Sequence, residues 1–317
     1  MKLTGFVAAA AVGALAVTAA HAETRITYKS AKSGSSYYQM GVELAEAVKI
    51  GTDGEMIVTL EESQGSVQNV MEVRARGADY VFTTPPALVG AAQKAAGPFD
   101  GKGDPAFDEI RALFPIPSLT MHIVMSKDSG SNDLSSLAGK TILLGSGSFG
   151  ATEGEKYLEL FGLKDKVKIA DSELSNAVAA LKNGQIDGFV TAGSYPAPNV
   201  VEAAATTPVT VIPMTDDEVG QTGRTRVVIP AGTYAGQEGD VTTTSLPVVA
   251  YATTKMDDDT AYELTKTFWE QKSMMSGMSP WWNAVSPEML SEVKTKIHPG
   301  AQRYYEEAGI ALTDEQK

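Results

Sequence analysis

The chain has 317 residues, enough for two lobes with separate cores. Acidic side chains outnumber basic ones 39 to 26, a formal charge of −13, which argues against a nucleic-acid partner and against strong attraction to anionic lipid. There is no cysteine, so thiolate catalysis, cysteine metal sites and disulfides are excluded; the three histidines are too scattered for a metal or catalytic cluster. No metal and no cofactor are expected.

Lys2 is the only charge before Glu23, and it precedes an apolar run over 6–20 and an A-x-A site at Ala20-His21-Ala22. This pattern predicts a secretory signal peptide over 1–22, cleaved after Ala22, and a periplasmic destination. The run is too short and alanine-rich to favour a membrane anchor. Next come a strand over 25–29, a Gly/Ser loop over 30–36 and a helix over 37–49, with Tyr37, Met40, Leu44 and Val48 on one face. A strand over 56–60, a polar loop, a helix over 67–76 and a strand over 80–83 follow, with Asp79 before the last.

The same order returns about 110 residues later. A strand over 141–144 meets a Gly/Ser loop over 145–150 and a helix over 151–161, stopped by Gly162. A strand over 167–170, a helix over 176–182 and a strand over 188–191 complete the unit, with Asp187 before the last. Two similar α/β lobes result. The apolar, Pro-broken stretch 112–125 suits the crossover from one to the other, and 225–233 suits the return. Lobe one is therefore expected at 23–113 plus 230–317, and lobe two at 115–228. A strand over 245–254 and a helix over 257–271, with aspartates at its dipole-favoured start, belong to lobe one.

The second Gly/Ser loop is a complete G-x-G-x-x-G, with Gly145, Gly147 and Gly150, and Asp171 lies about twenty residues beyond in the place of a ribose-binding acid. A nicotinamide-dependent oxidoreductase is the reading this invites. Three features count against it: the export signal has no twin arginine, lobe one repeats the architecture without the fingerprint, and only His122 and His298 remain as histidine acid or base. No G-x-S-x-G elbow supports a serine hydrolase. What both loops share is small residues at a helix N-terminus, where free N–H groups and the helix dipole favour an anion.

At this point the residues resemble a known family. "AKSGSSYYQMG" (31–41), "SQGSVQNV" (63–70), "LLGSGSFG" (143–150) and "HPGAQRYYEEAGI" (298–310) are similar, in order, to the signature segments of TAXI-type solute-binding proteins of TRAP transporters. The resemblance implies a type II periplasmic binding protein fold, two α/β lobes joined by a two-crossover hinge. It also implies capture of a small carboxylate, an organic acid or a glutamate-like amino acid, and delivery to a sodium-coupled TRAP permease. A monomer that is not an enzyme is expected; a binding protein that serves a sensing partner is the alternative.

The candidate ligand residues are Lys32, Gly34, Ser35, Ser36, Tyr37 and Tyr38 in the first loop, with Ser66 and Asn69 at the next helix. Thr83 and Thr84 end the third strand. Ser146, Gly147, Ser148, Phe149, Gly150 and Gly193 come from lobe two. Lys32 and "TTPPA" (83–87) depart from the family pattern, and the added lysine favours an anion over a zwitterion. Lys32 can equally be a solvated loop residue. Ser66 and Ser148 can serve simply as helix caps, and Tyr37 and Tyr38 divide between core and cleft wall.

Overall fold

The computed structural model describes residues 23–146 and 148–317. The expected signal peptide and its cleavage site lie outside the described residues.

The first half of the chain gives β1 (Thr24–Lys29), α1 (Ser36–Gly51), β2 (Met56–Glu61), α2 (Ser66–Glu72), β3 (Tyr80–Thr84) and α3 (Pro86–Gln93). Helix α1 starts where Ser35 caps it and buries Tyr37, Met40, Leu44 and Val48, the stripe read from the sequence. Strand β3 is buried at every position, as a strand covered on both faces must be. The long β4 (Ile110–Ser126) leads to β5 (Thr141–Leu143), α4 (Phe149–Leu160), β6 (Lys168–Ala170), α5 (Ala177–Lys182) and β7 (Gly188–Gly193). Then follow α6 (Pro198–Thr206), β8 (Val209–Val211), α7 (Asp216–Thr222), β9 (Thr225–Ile229), β10 (Val241–Thr253), α8 (Asp258–Glu270), α9 (Lys272–Met278) and α10 (Pro299–Glu307).

The strands form one sheet in the order β2-β1-β3-β10-β4-β7-β5-β6, with β8 on β4 and β9 on β10. Each outer third is parallel, β2-β1-β3 on one side and β7-β5-β6 on the other. Between them β4 and β10 run antiparallel and belong to both halves. The early part of β10 pairs with β9, and its late part pairs with β3. Their mutual register shifts between Leu246 and Val248, opposite Leu119 and Ile116. Pro117 and Pro247 fall there, and a proline cannot donate to a ladder. This is the waist between two α/β lobes.

The first crossing runs along β4. The return does not lie at 225–233: β9 turns back through a long loop and pairs with Val241–Ser245, still in the second half of the sheet. Residues 230–244, assigned to lobe one from the sequence, therefore sit with lobe two, and β10 makes the crossing. The aspartates that precede β3 and β7 brace corresponding places. Asp79 accepts from the Thr27 hydroxyl at 2.8 Å and Asp187 from the Thr141 amide at 2.7 Å.

Candidate ligand-binding site

Helix α1 begins beyond the C-terminal end of β1 and α4 beyond that of β5, so both open toward the space between the lobes. Ser35 Oγ accepts from the Tyr38 amide at 3.2 Å and Ser148 Oγ from the Ala151 amide at 3.0 Å. The first main-chain helical bonds come next, Gln39 N–H to Ser35 O and Thr152 N–H to Ser148 O. The amides of Ser36 and Tyr37, and of Phe149 and Gly150, thus lie ahead of both ladders. Each helix end also carries about half a positive charge.

A cavity of about 70 Å³ lies between these ends, lined by Ser35 and Tyr37 from one lobe and by Ser148, Phe149 and Gly150 from the other. That is far below the roughly 300–1,000 Å³ of pockets for drug-sized ligands, so the space suits a molecule of few atoms. Lys32, Ser66 and Thr83 add further polar groups to its lining. Thr83 is only 4 % exposed, and its carbonyl accepts from the Asn69 side-chain amide at 2.9 Å. Ser66 is not the cap of α2; that position is Gly65, at φ 132°, which makes no side-chain cap bond.

Other sequence candidates lie off the wall. Asn69 is fully buried beneath the cavity: its amide donates to Ser30 O at 2.8 Å and Thr83 O at 2.9 Å, and its Oδ1 accepts from Ser63 at 2.5 Å. It ties three loops together. Thr84 is buried, Tyr38 is half-buried, and Gly34 and Ser146 are exposed. Gly147 lies outside the described residues. Asp171 is exposed and is not on the cavity wall.

Two candidates join the lobes. Lys32 forms an ion pair with Glu173 of lobe two, so it is neither a free solvated lysine nor an uncommitted cation. Ser36 Oγ accepts from the Ser194 amide at 3.1 Å. A Cβ at Gly193 would lie 2.5 Å from that same Oγ, which accounts for glycine there. Tyr37 donates to Pro117 O at 2.9 Å at the waist, and burial raises its phenol far above the ordinary range.

The remaining walls were not singled out from the sequence: Ser30, Ala31, Gln64 and Gly65 from lobe one, Leu119 and Val248 from the waist strands, Leu174 and Ala192 from lobe two. Leu174 lies over the fingerprint loop, where a Cβ on Gly145 would come within 2.8 Å of it. His122 and His298 are elsewhere and structural. His122 is buried between Thr120 O and the Tyr234 hydroxyl, and burial lowers it to about 4. His298 caps α10. Among the described residues no group of three or more His, Cys, Asp or Glu could hold a metal.

An α/β sheet crossed twice at its waist, with the cavity between two helix N-termini, is the two-lobed fold of periplasmic binding proteins. The periplasmic binding protein BugD has it, with a TM-score of 0.59 at 13 % identity over 92 % of this chain and 99 % of that one. So does MatC from Rhodopseudomonas palustris with bound malate, with a TM-score of 0.56 at 16 % identity over 90 % and 97 % of the two chains. Residues 29–309 match the NMT1-like family, and the chain belongs to it.

Proposed function

We propose that this protein is an extracytoplasmic solute-binding protein that captures a small carboxylate between its lobes and hands it to a membrane permease. The observation that carries the reading is the convergence of two helix N-termini, one from each lobe, on a single small cavity. A carboxylate there accepts hydrogen bonds from both lobes at once. A ligand that touches both favours the closed arrangement by its differential contacts, which is how binding closes a hinge. Lys32–Glu173 and Ser36–Ser194 add lobe-to-lobe contacts at the same place. MatC, which shares the fold, holds malate.

The finer reading, a TAXI-type protein serving a sodium-coupled TRAP permease, rests on the sequence segments at 31–41, 63–70, 143–150 and 298–310. The ligand set it brings together is Lys32, Ser35, Tyr37, Ser66, Thr83, Ser148, Phe149 and Gly150, with Lys32 acting through its ion pair at the cavity mouth. Export to the periplasm follows from the expected signal peptide. Two measurements test the carboxylate reading: a mass spectrum of ligand released on denaturation, and thermal shifts of the stripped protein with organic acids, amino acids and NAD. A carboxylate should raise Tm, because it binds only the folded state. A shift with NAD and none with any carboxylate refutes it.

A further inference from the structure

The cavity supplies donors for one carboxylate and little else that is charged. Its carboxylate end is defined by the amides that open α1 and α4, together with the hydroxyls of Ser66, Thr83 and Ser148. Thr83 is a buried hydroxyl residue on that wall, 4 % exposed. Among the described residues no aspartate or glutamate lines the cavity. Among the described residues the only charged side chain on the wall is Lys32, and its charge is already met by Glu173. Most of the remaining lining is apolar, with Leu119 and Val248 from the waist, Ala31 from lobe one, and Phe149, Leu174 and Ala192 from lobe two; Ser30 and Gln64 are the further polar side chains.

An α-ammonium inside would face two positive helix ends with no carboxylate to receive it, and a buried unpaired charge is strongly disfavoured. A second carboxylate would need a second set of charged donors or a free cation, and Lys32 is already paired with Glu173. An apolar body of a few carbons meets neither obstacle and buries against the aliphatic wall. We infer that the ligand is a short-chain monocarboxylate with an uncharged, largely apolar body, and that amino acids and dicarboxylates are excluded. This rests on the cavity being the carboxylate site, and it sets this chain apart from MatC, whose bound malate is a dicarboxylate.

The test uses isothermal titration of the purified protein, refolded to remove co-purified ligand, with four probes on nearly one skeleton: butyrate, 2-aminobutyrate, succinate and butyramide. Butyrate should bind. 2-Aminobutyrate and succinate should bind about a hundredfold or more weaker, because each leaves a buried charge without a partner. Butyramide should bind weakly or not at all, since the helix ends then lose their anion. If 2-aminobutyrate or succinate binds as well as butyrate, the monocarboxylate inference is overturned while the carboxylate reading stands. If butyramide matches or exceeds every acid, the carboxylate reading falls and the inference with it. Failure of butyrate to bind at millimolar concentration also overturns the inference; the mass spectrum of released ligand then judges the broader reading separately.

Discussion

Replacing Gly193 with alanine should weaken ligand binding without unfolding either lobe. The new Cβ would sit 2.5 Å from Ser36 Oγ, well inside contact distance. The serine can turn away, but the Ser194 amide then loses the acceptor it now holds at 3.1 Å, in a place where Ser36 is 2 % and Ser194 3 % exposed. A buried amide left unpaired costs about 1–3 kcal/mol. Because the contact joins α1 to the end of β7, the cost falls on the closed arrangement. The expected loss in affinity is about 5- to 150-fold, at about 1.4 kcal/mol per tenfold. Calorimetry against the ligand released from the protein reads it directly, while the Tm of the stripped protein should change little. Ser36→Ala removes the same acceptor, so the double variant should be no worse than either single one. Full additivity, unchanged affinity, or a Tm loss in the stripped protein as large as the binding loss would refute this account.

Arg224 clasps Glu153 with two bonds of 2.6 and 3.0 Å, and the Glu153 side chain is 2 % exposed. Arg224→Met leaves that buried carboxylate only the longer Lys156 contact at 3.5 Å and should destabilise the fold in urea unfolding, by at most about 3–5 kcal/mol, an effect that Glu153→Gln in the same chain should largely remove. His122 is lowered from 6.5 to about 4 by burial, so its neutral form is the one that folds. Its contribution is fully present above about pH 6.5 and is lost as pH falls toward 4, by up to about 3 kcal/mol. Urea unfolding at pH 7 and pH 4 should show that loss, and His122→Gln should lack it. Ser148→Ala should weaken ligand binding more than it lowers the stability of the stripped protein; equal losses would mean that Ser148 only caps α4.

The repeated strand, loop and helix order was legible because each lobe writes it locally. Capping serines stand at 35 and 148, an apolar stripe follows each, and an aspartate at 79 and at 187 leads into a strand. The return crossing was not, because a strand carries no mark of its partner. Residues 225–233 suited a return crossover by their composition, and only the pairing of Thr225–Ile229 with Val241–Ser245 keeps them in the second half of the sheet. The apolar cavity walls were hidden for a similar reason. Leu119 and Val248 alternate like core residues, and a period of two does not distinguish a packed interior from a lined hollow. Asn69 was legible as important but not as to how, since its carbonyl partners at 30 and 83 come from separate segments. Lys32 was expected to face ligand or solvent; its actual partner, Glu173, is brought to it only by the approach of the two lobes.

The two waist strands also constrain the order in which the molecule can assemble. The half of the sheet around β5 to β9 draws almost wholly on one uninterrupted stretch of chain between the two crossings. The other half places β10 between β3 and β4, and the amide of His298 bonds to Ala112 O. As the chain emerges from its N-terminus, the β2-β1-β3 unit must wait for β10, the outer neighbour of β3 some 160 residues downstream, whereas the interior half can close on itself. Pulse-labelled amide exchange during refolding should therefore show protection in β5 and β7 before β1 and β3.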